Sequence, residues 1–190
     1  MSELLGYIEE RVSLNAEERD AVVSAFKPVS GAKNEVIIKA NQTARYLYFI
    51  QKGLIRTYSE TDTREITSWI YPEGLFATGW YSFLRQEPSP EYVQCLEDCE
   101  LMAISHEQLQ SLYKSYPNLD RFGRLLMQEQ FAFLDYFSRG YYFLSAREKY
   151  ELLLSYFPEI ELRAKIGHIA SMLGISIETL SRIRSGNRGS

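Results

Sequence analysis

The residues best placed to do chemistry lie near the end of the chain, in Ile166-Gly-His-Ile169-Ala170-Ser-Met-Leu173-Gly174-Ile175-Ser-Ile-Glu-Thr-Leu180-Ser-Arg-Ile183. Their chemistry is recognition rather than catalysis. Arg182 can donate two hydrogen bonds to the edge of a guanine, and Glu178 can accept one from a cytosine amine. Ile177 donates nothing and can only touch a thymine methyl. Lys165 and Arg184 suit phosphates, which supply affinity without sequence. With Ser176, Thr179 and Ser181, these residues make up a candidate DNA-reading set.

Two helices must hold that set. Ile166, Ile169, Ala170 and Leu173 fall at i, i+3, i+4 and i+7, one face of a first helix. Gly174 follows where a helix end favours positive φ. Ser176 can cap a second helix, with Glu178 and Thr179 in its first turn. Leu180 and Ile183 are its inward pair, and Ala170 is small enough for a close crossing. This spacing predicts a helix-turn-helix. The alternative is a helical hairpin closing a core, with Glu178 and Arg182 an i,i+4 ion pair of about 0.2–0.5 kcal/mol. The polar, arginine-bearing outer face favours DNA.

Composition fits a globular chain of one large or two small domains. Its 190 residues are 45% hydrophobic. The net charge of −4 looks wrong for a DNA binder, but it is unevenly spread. From Glu161 onward the basic residues Arg163, Lys165, Arg182, Arg184 and Arg188 face only Glu161 and Glu178, a local +3. Phosphate attraction needs such a local patch, not a basic whole. No apolar run is long enough to span a membrane, and the acidic start lacks a secretory pattern. A cytoplasmic protein is expected. Cys95 and Cys99, read as one strand, lie about 13 Å apart, too far for a disulfide. Reduced, packed thiols are expected. With only His106 and His168 besides, no metal site is predicted.

Helical signals at 3–11 and after Asn15 precede a β-rich stretch. Short β-branched and aromatic runs, from Val36-Ile-Ile to Leu101-Met-Ala-Ile104, are separated by turn residues such as Lys52-Gly53, Pro72-Glu-Gly74 and Glu97-Asp98. A β-roll is expected over residues 1–117. A long helix follows, about 118–140, with Leu119, Phe122, Leu126 and Phe133 in a wide apolar stripe. That stripe exceeds what one roll needs, so it is assigned to a dimer interface. A helical module over 141–190 opens on the capping box Ser145-Ala-Arg-Glu148. The fold class is α+β: a jelly-roll-like double-stranded β-roll, a dimerisation helix, and a winged-type helix-turn-helix.

In this order the chain resembles the Crp/Fnr family of bacterial transcription regulators. The resemblance rests on Lys52-Gly53-Leu54-Ile55-Arg56, Pro72-Glu73-Gly74, Ser145-Ala146-Arg147-Glu148-Lys149-Tyr150 and, most specifically, Gly174-Ile-Ser-Ile-Glu178-Thr179-Leu180-Ser181-Arg182. It implies a homodimer that binds palindromic DNA and senses an effector in the roll. It also implies a cyclic-nucleotide-like pocket, assigned to Glu73, Gly74, Phe76, Trp80, Glu91 and Tyr92. Members that bind cyclic AMP hold the ribose with a Gly-Glu pair and the phosphate with an Arg-Ser pair. Here Glu73-Gly74 is reversed, and Ser89-Pro90-Glu91-Tyr92 stands where Arg-Ser is expected. A carboxylate there repels a phosphate, and tyrosine cannot replace a guanidinium. Cyclic AMP in its usual mode is therefore not expected. Either an apolar or aromatic effector sits near Phe76, Trp80 and Tyr92, or these rings simply fill the roll.

No cysteine precedes Cys95, which argues against an iron–sulfur sensor, and nothing beyond two histidines suggests haem. No cofactor is assigned. His106 is expected at a strand-to-helix junction, and His168 on the exposed side of the first motif helix, within reach of a phosphate. Two other classes compete. A cupin-like enzyme needs several metal-holding histidines or a nucleophile–base set, which the chain lacks. A sensor acting only through protein contacts has no need of a helix-turn-helix. Contact with RNA polymerase, if made, is expected from the existing surface.

Overall fold

In the computed structural model, residues 1–187 are described; Arg188, counted above in the basic segment, lies outside them. Helices α1 (Ser2–Glu9) and α2 (Ala16–Ala25) come first. Asn15 caps α2 in a reciprocal capping box with Glu18. Eight strands follow: β1 (Lys27–Gly31), β2 (Val36–Ile38), β3 (Tyr46–Lys52), β4 (Ile55–Glu60), β5 (Glu65–Tyr71), β6 (Phe76–Ala77), β7 (Glu91–Cys95) and β8 (Cys99–Ser105), with α3 (Trp80–Arg85) between β6 and β7. They form two antiparallel four-stranded sheets, β1-β8-β3-β6 and β2-β7-β4-β5. The helices α4 (His106–Ser115), α5 (Pro117–Phe143), α6 (Ala146–Tyr156), α7 (Ile160–Arg163), α8 (Ile166–Leu173) and α9 (Ile177–Asn187) complete the chain. His106 opens α4 after the Ser105 cap, at the expected junction. Pro117 starts α5 at a position where a missing N–H costs nothing. No strand follows β8 among the described residues, so the wing of the expected winged motif has no counterpart there.

Strand alternation builds two cores. On β4 and β7, Ile55, Val93 and Cys95 point inward, into a core shared with α1, α2, α4 and the first half of α5. Leu54 and Leu96 point outward with Ile70 of β5, into a second core shared with Tyr150, Leu153, Ile160, Ile169, Leu173, Leu180 and Ile183. The helical module is thus packed on the outer face of the β2-β7-β4-β5 sheet.

The assignment of Leu119, Phe122 and Leu126 to a dimer interface is overturned. All three are buried within the chain, at 3%, 6% and 2% exposure. Phe122 meets Tyr7 and Phe76 at ring centroid distances of 6.2 and 6.3 Å. Phe133 is half-buried against Trp69, Phe137 and Tyr156 of its own chain. The roll consumes this stripe: Leu119, Phe122 and Leu126 belong to the core that residues of α1, α2 and α4 also line.

The cysteine geometry also differs. Cys95 ends β7 in one sheet and Cys99 begins β8 in the other, so they do not share a strand. Both thiols are free and buried on either side of the turn that joins the two strands.

Polar contacts pin the helical module to the sheet. Arg163, at the end of α7, donates to Glu73 at 2.8 and 2.7 Å and to Glu97 at 3.0 and 2.7 Å. The Thr67 amide donates to Ser171 Oγ of α8 at 3.0 Å. His168, expected on an exposed face, is half-buried at this junction, and its Nδ1 is buried without a hydrogen-bond partner. Burial, with Arg56 and Lys165 nearby and Glu65 opposing them, pushes its pKa down to about 4. Arg163 holds the Glu73 carboxyl down to about 2, against the cost of its partial burial.

Both shifts predict how acid acts on the junction. A histidine lowered from 6.5 stabilises the docked state fully above pH 6.5, and that contribution is lost as pH falls towards 4. A glutamate lowered from 4.5 contributes above pH 4.5 and loses that contribution as pH falls towards 2. Acid should therefore loosen the helical module in two steps before the inner core melts. Near-ultraviolet circular dichroism of Trp69, which packs on Phe157 of the module at 6.4 Å, should follow both. His168→Gln should remove the upper step. An unchanged titration in that variant would assign the step to another group.

Candidate functional site

The end of α8 shows why the motif sequence folds as it does. Gly174 takes φ +66 and ψ +33, the left-handed conformation that ends the helix. The Ile175 amide then donates back to the Ala170 carbonyl at 3.0 Å. Ser176 Oγ accepts from the Thr179 amide at 3.1 Å and starts α9. Ile169, Ala170, Leu173, Leu180 and Ile183 are all buried, as the spacing requires, and Met172 joins them.

The opposite side of α9 presents Ile177, Glu178, Ser181 and Arg182 to solvent, while Thr179 is half-buried. Glu178 is held below its ordinary pKa by backbone amides at the helix start, Ser176 and Arg182. Arg182 Nη2 lies 3.5 Å from Thr179 Oγ1. Ile177 is half exposed, and a Cβ on Gly167 would lie 3.6 Å from its Cδ1. Its side chain therefore leans back on α8. Lys165 is exposed where α8 begins. Arg184 is not free for a phosphate: its Nε is 3.6 Å from Glu161, which also takes the Tyr150 hydroxyl. One basic residue escaped the sequence reading. Arg147 of α6 lies beside α9, lining an open groove of about 400 Å³ with Thr179 and Arg182. Its place inside a capping box gave it a structural explanation that hid its position in space.

The six residues assigned to an effector pocket do not share one cavity. Glu73 and Gly74 sit in the β5–β6 turn, where Glu73 takes the Gly53 amide and the Arg163 guanidinium. Gly74 adopts φ +77 there. Phe76 is core, ringed by Tyr7, Phe26, Phe49 and Phe122. Tyr92 faces outward, stacked on Tyr58 at 4.9 Å, and its hydroxyl donates to Glu60. Only Trp80 and Glu91 lie near a common group, Tyr71. That phenol is buried, and burial and Glu91 push its pKa far above the usual value, against the opposing pull of Trp80 and Thr57. Burial raises the Glu91 pKa as well, against a hydrogen bond from Ser68. The inward residues Ile55, Thr57, Tyr71, Glu91, Val93 and Cys95 include no cation. The one buried arginine of this sheet, Arg56, points outward, bound to Gln94, Thr67 and Glu65. Arg85, the nearest other candidate, is exposed and 3.8 Å from Glu87.

A second face of α5 remains open. Phe131, Leu134 and Tyr142 are 73%, 60% and 84% exposed. With half-buried Met127, Phe131 and Leu134 fall at i, i+4 and i+7, one seam of a helix. The seam borders a groove of about 320 Å³ lined by Trp80, Phe83, Leu84, Tyr113, Arg124 and Met127.

Comparison with known proteins follows this architecture. The cyclic nucleotide-binding domain family matches residues 28–116. The anaerobic regulatory protein of Pasteurella multocida (strain Pm70) is 27% identical over 187 residues, covering 90% of this chain and 67% of that protein. FixK2 of Bradyrhizobium japonicum has the same fold, with a TM-score of 0.70 at 16% identity over 85% of this chain and 83% of that one. So does a CooA variant from Carboxydothermus hydrogenoformans, with a TM-score of 0.69 at 17% identity over 95% and 87% of the two chains. The chain thus carries a cyclic nucleotide-binding domain, followed by a long helix and a helical module, and is similar along nearly its whole length to an anaerobic regulatory protein, while the solved structures share its fold.

Proposed function

We propose that the chain is a cytoplasmic, homodimeric, sequence-specific DNA-binding regulator that does not read cyclic AMP in the usual mode. The observation that carries this reading is α9. It is a helix fixed by a buried apolar side whose free side offers Glu178, Ser181 and Arg182 at the spacing of base contacts. Lys165 flanks it as a phosphate ligand. A regulator rather than an enzyme fits the relative named above, an anaerobic regulatory protein.

Dimerisation is assigned to Met127, Phe131 and Leu134 in place of the stripe spent on the roll. Two half-sites about 34 Å apart, one helical turn, would then be read by one dimer. In helix-turn-helix complexes the first helix crosses the DNA backbone. Here His168 and Ser171 of α8 face the roll, so full engagement requires α8 to leave β5. The docked form is on this reading the resting one.

Two substitutions test the DNA-reading part of the proposal. Arg182→Ala should cost roughly 1–3 kcal/mol per half-site on a duplex selected from a random pool, and relax one base position. Lys165→Ala should weaken all duplexes alike and make the salt slope shallower by about one unit. Equal losses on selected and scrambled duplexes for Arg182→Ala would reduce that residue to a phosphate contact.

Phe131→Glu with Leu134→Glu should sediment as a folded monomer and lose most DNA affinity. Leu126→Ala should instead lower stability by about 2–5 kcal/mol in urea, because it opens a cavity in the inner core. A wild-type monomer at micromolar concentration would overturn the dimer.

Calorimetry with cyclic AMP should show no binding at physiological nucleotide concentrations, since Glu91 and Tyr71 occupy the interior without a cation. Tight binding would show that Arg56 or Arg85 can turn to the phosphate.

A further inference from the structure

The junction between the roll and the helical module leaves an open groove of about 400 Å³. Leu54, Pro72 and Glu73 line it from the roll, while Tyr156, Phe157 and Glu159 line it from the module. Its aromatic wall is the outer edge of a larger cluster. Tyr156 meets Phe133 edge-on at 5.2 Å, and Phe157 meets Trp69 at 6.4 Å. Tyr156 still shows 45% of its surface to solvent. The charges around the groove are unequal. Arg163 is the one cation among the lining residues, and four hydrogen bonds to Glu73 and Glu97 already occupy its guanidinium. Glu159 is exposed and precedes α7 without capping it through its side chain. Among the described residues, no ion pair or hydrogen bond holds its carboxylate. A free carboxylate beside exposed rings, with the neighbouring cation neutralised, is complementary to an organic cation and repels an anion.

We propose that this groove binds a small organic ammonium ion with an apolar body, and that its binding holds the module docked on the roll. The volume lies at the lower end of the range for small-molecule pockets, roughly 300–1,000 Å³. The apolar body rests on Leu54, Pro72 and Phe157. The ammonium donates to Glu159 and lies over the ring of Tyr156. Glu73 is not the recognising carboxylate, because it cannot turn to a ligand without releasing Arg163. The two walls belong to different halves of the molecule and separate when the module leaves. The ligand therefore binds the docked form and not the open one, and that difference in affinity is what shifts the equilibrium. At a hundred times its Kd, it favours the docked form about a hundredfold. The Arg163 clamp acts from within the chain at a fixed strength. The groove adds a second tie whose strength follows the concentration of a small molecule.

The groove stands on its own geometry; only its meaning for DNA binding rests on the function proposed above. The probe is 2-phenylethylamine, with 3-phenylpropionate and 2-phenylethanol as its anionic and neutral counterparts. Each is titrated into the full chain by calorimetry at neutral pH. The amine should bind saturably and more tightly than the alcohol, and the carboxylate should not bind. At ten times the Kd of the amine, backbone amides of residues 159–171 should exchange about tenfold more slowly, while those of β3 and β8 stay as they were. Glu159→Gln, at an exposed and unpaired position, should keep the fold by circular dichroism, weaken the amine about tenfold and leave the alcohol unchanged. Tyr156→Leu should weaken the amine by about two- to fivefold. Equal affinities for the three probes, no saturable binding of the amine at millimolar concentration, full affinity in Glu159→Gln, or binding that leaves exchange in 159–171 unchanged would each overturn the proposal. In a chain that binds duplex DNA, the amine should lower that affinity. A chain that binds the amine and tightens as expected but binds no duplex would support the groove and remove the DNA reading alone.

Discussion

One guanidinium shared between two carboxylates sets how the halves of this molecule meet. Arg163 comes from a helix of only four residues, and Glu73 and Glu97 come from two different turns of the roll. The three side chains are only partly exposed, at 23%, 36% and 30%. At such depth an ion pair stabilises modestly once its desolvation is counted. Its larger effect is positional. The fork of Arg163 accepts one arrangement of the two turns, and that arrangement seats α8 along β5. Remove one partner and a half-buried charge is left uncompensated, which costs more than the pair contributes. The surrounding apolar contacts of Leu54, Ile70 and Leu96 supply the adhesion, but they do not choose an orientation. A charged clamp over an apolar seat makes an interface that is stable when closed and easily biased open.

Helix α5 works under a related constraint. It carries apolar residues on more than half its circumference, and one chain can cover only part of that. The roll takes Leu119, Phe122 and Leu126, and the module takes Phe133 and Phe137 through Trp69 and Phe157. What remains is a seam with Phe131 at 73% exposure. The same helix therefore touches the roll, the module and any second copy, so a movement in one is felt by the others.

The sequence showed this helix but not its allegiance. A 3.6-residue period reports that a side is apolar, not what lies against it. Leu119 and Phe131 look alike in the sequence and differ entirely in space. The helix-turn-helix was readable because Gly174, Ser176 and Ala170 have local reasons to be where they are. The pocket was less readable. Glu73 and Phe76 are three residues apart, yet one binds a guanidinium from another module and the other fills a ring cluster. His168 misled because periodicity on an isolated helix leaves it outward, whereas tertiary packing covers that side with β5. The cysteines misled because four residues were taken as extended, when Glu97-Asp98 had already marked a turn. A turn signal and a strand spacing cannot both hold over the same residues, and the turn should have decided.

Counted along the sequence, the end of the chain looks basic; counted in space, much of that charge is already used. Arg163 is neutralised by two glutamates and Arg184 sits against Glu161. Lys165 and Arg182 remain exposed, while Arg147 of α6, which lines the groove beside Arg182, is 3.7 Å from Glu151. Each phosphate contact that is lost removes one counterion released on binding, so a single recognition module of this kind gains little from electrostatics. Two such modules, held by one seam as proposed, would gain through effective concentration rather than charge. Opening the Arg163 clamp would add a third gain, since it frees a guanidinium near α8 at the moment the module leaves the roll. The residue that holds the resting form closed is then also a cation that a released form can offer to phosphate. Stability of the docked state and affinity for DNA would in that case draw on the same side chain and could not both be at their maximum.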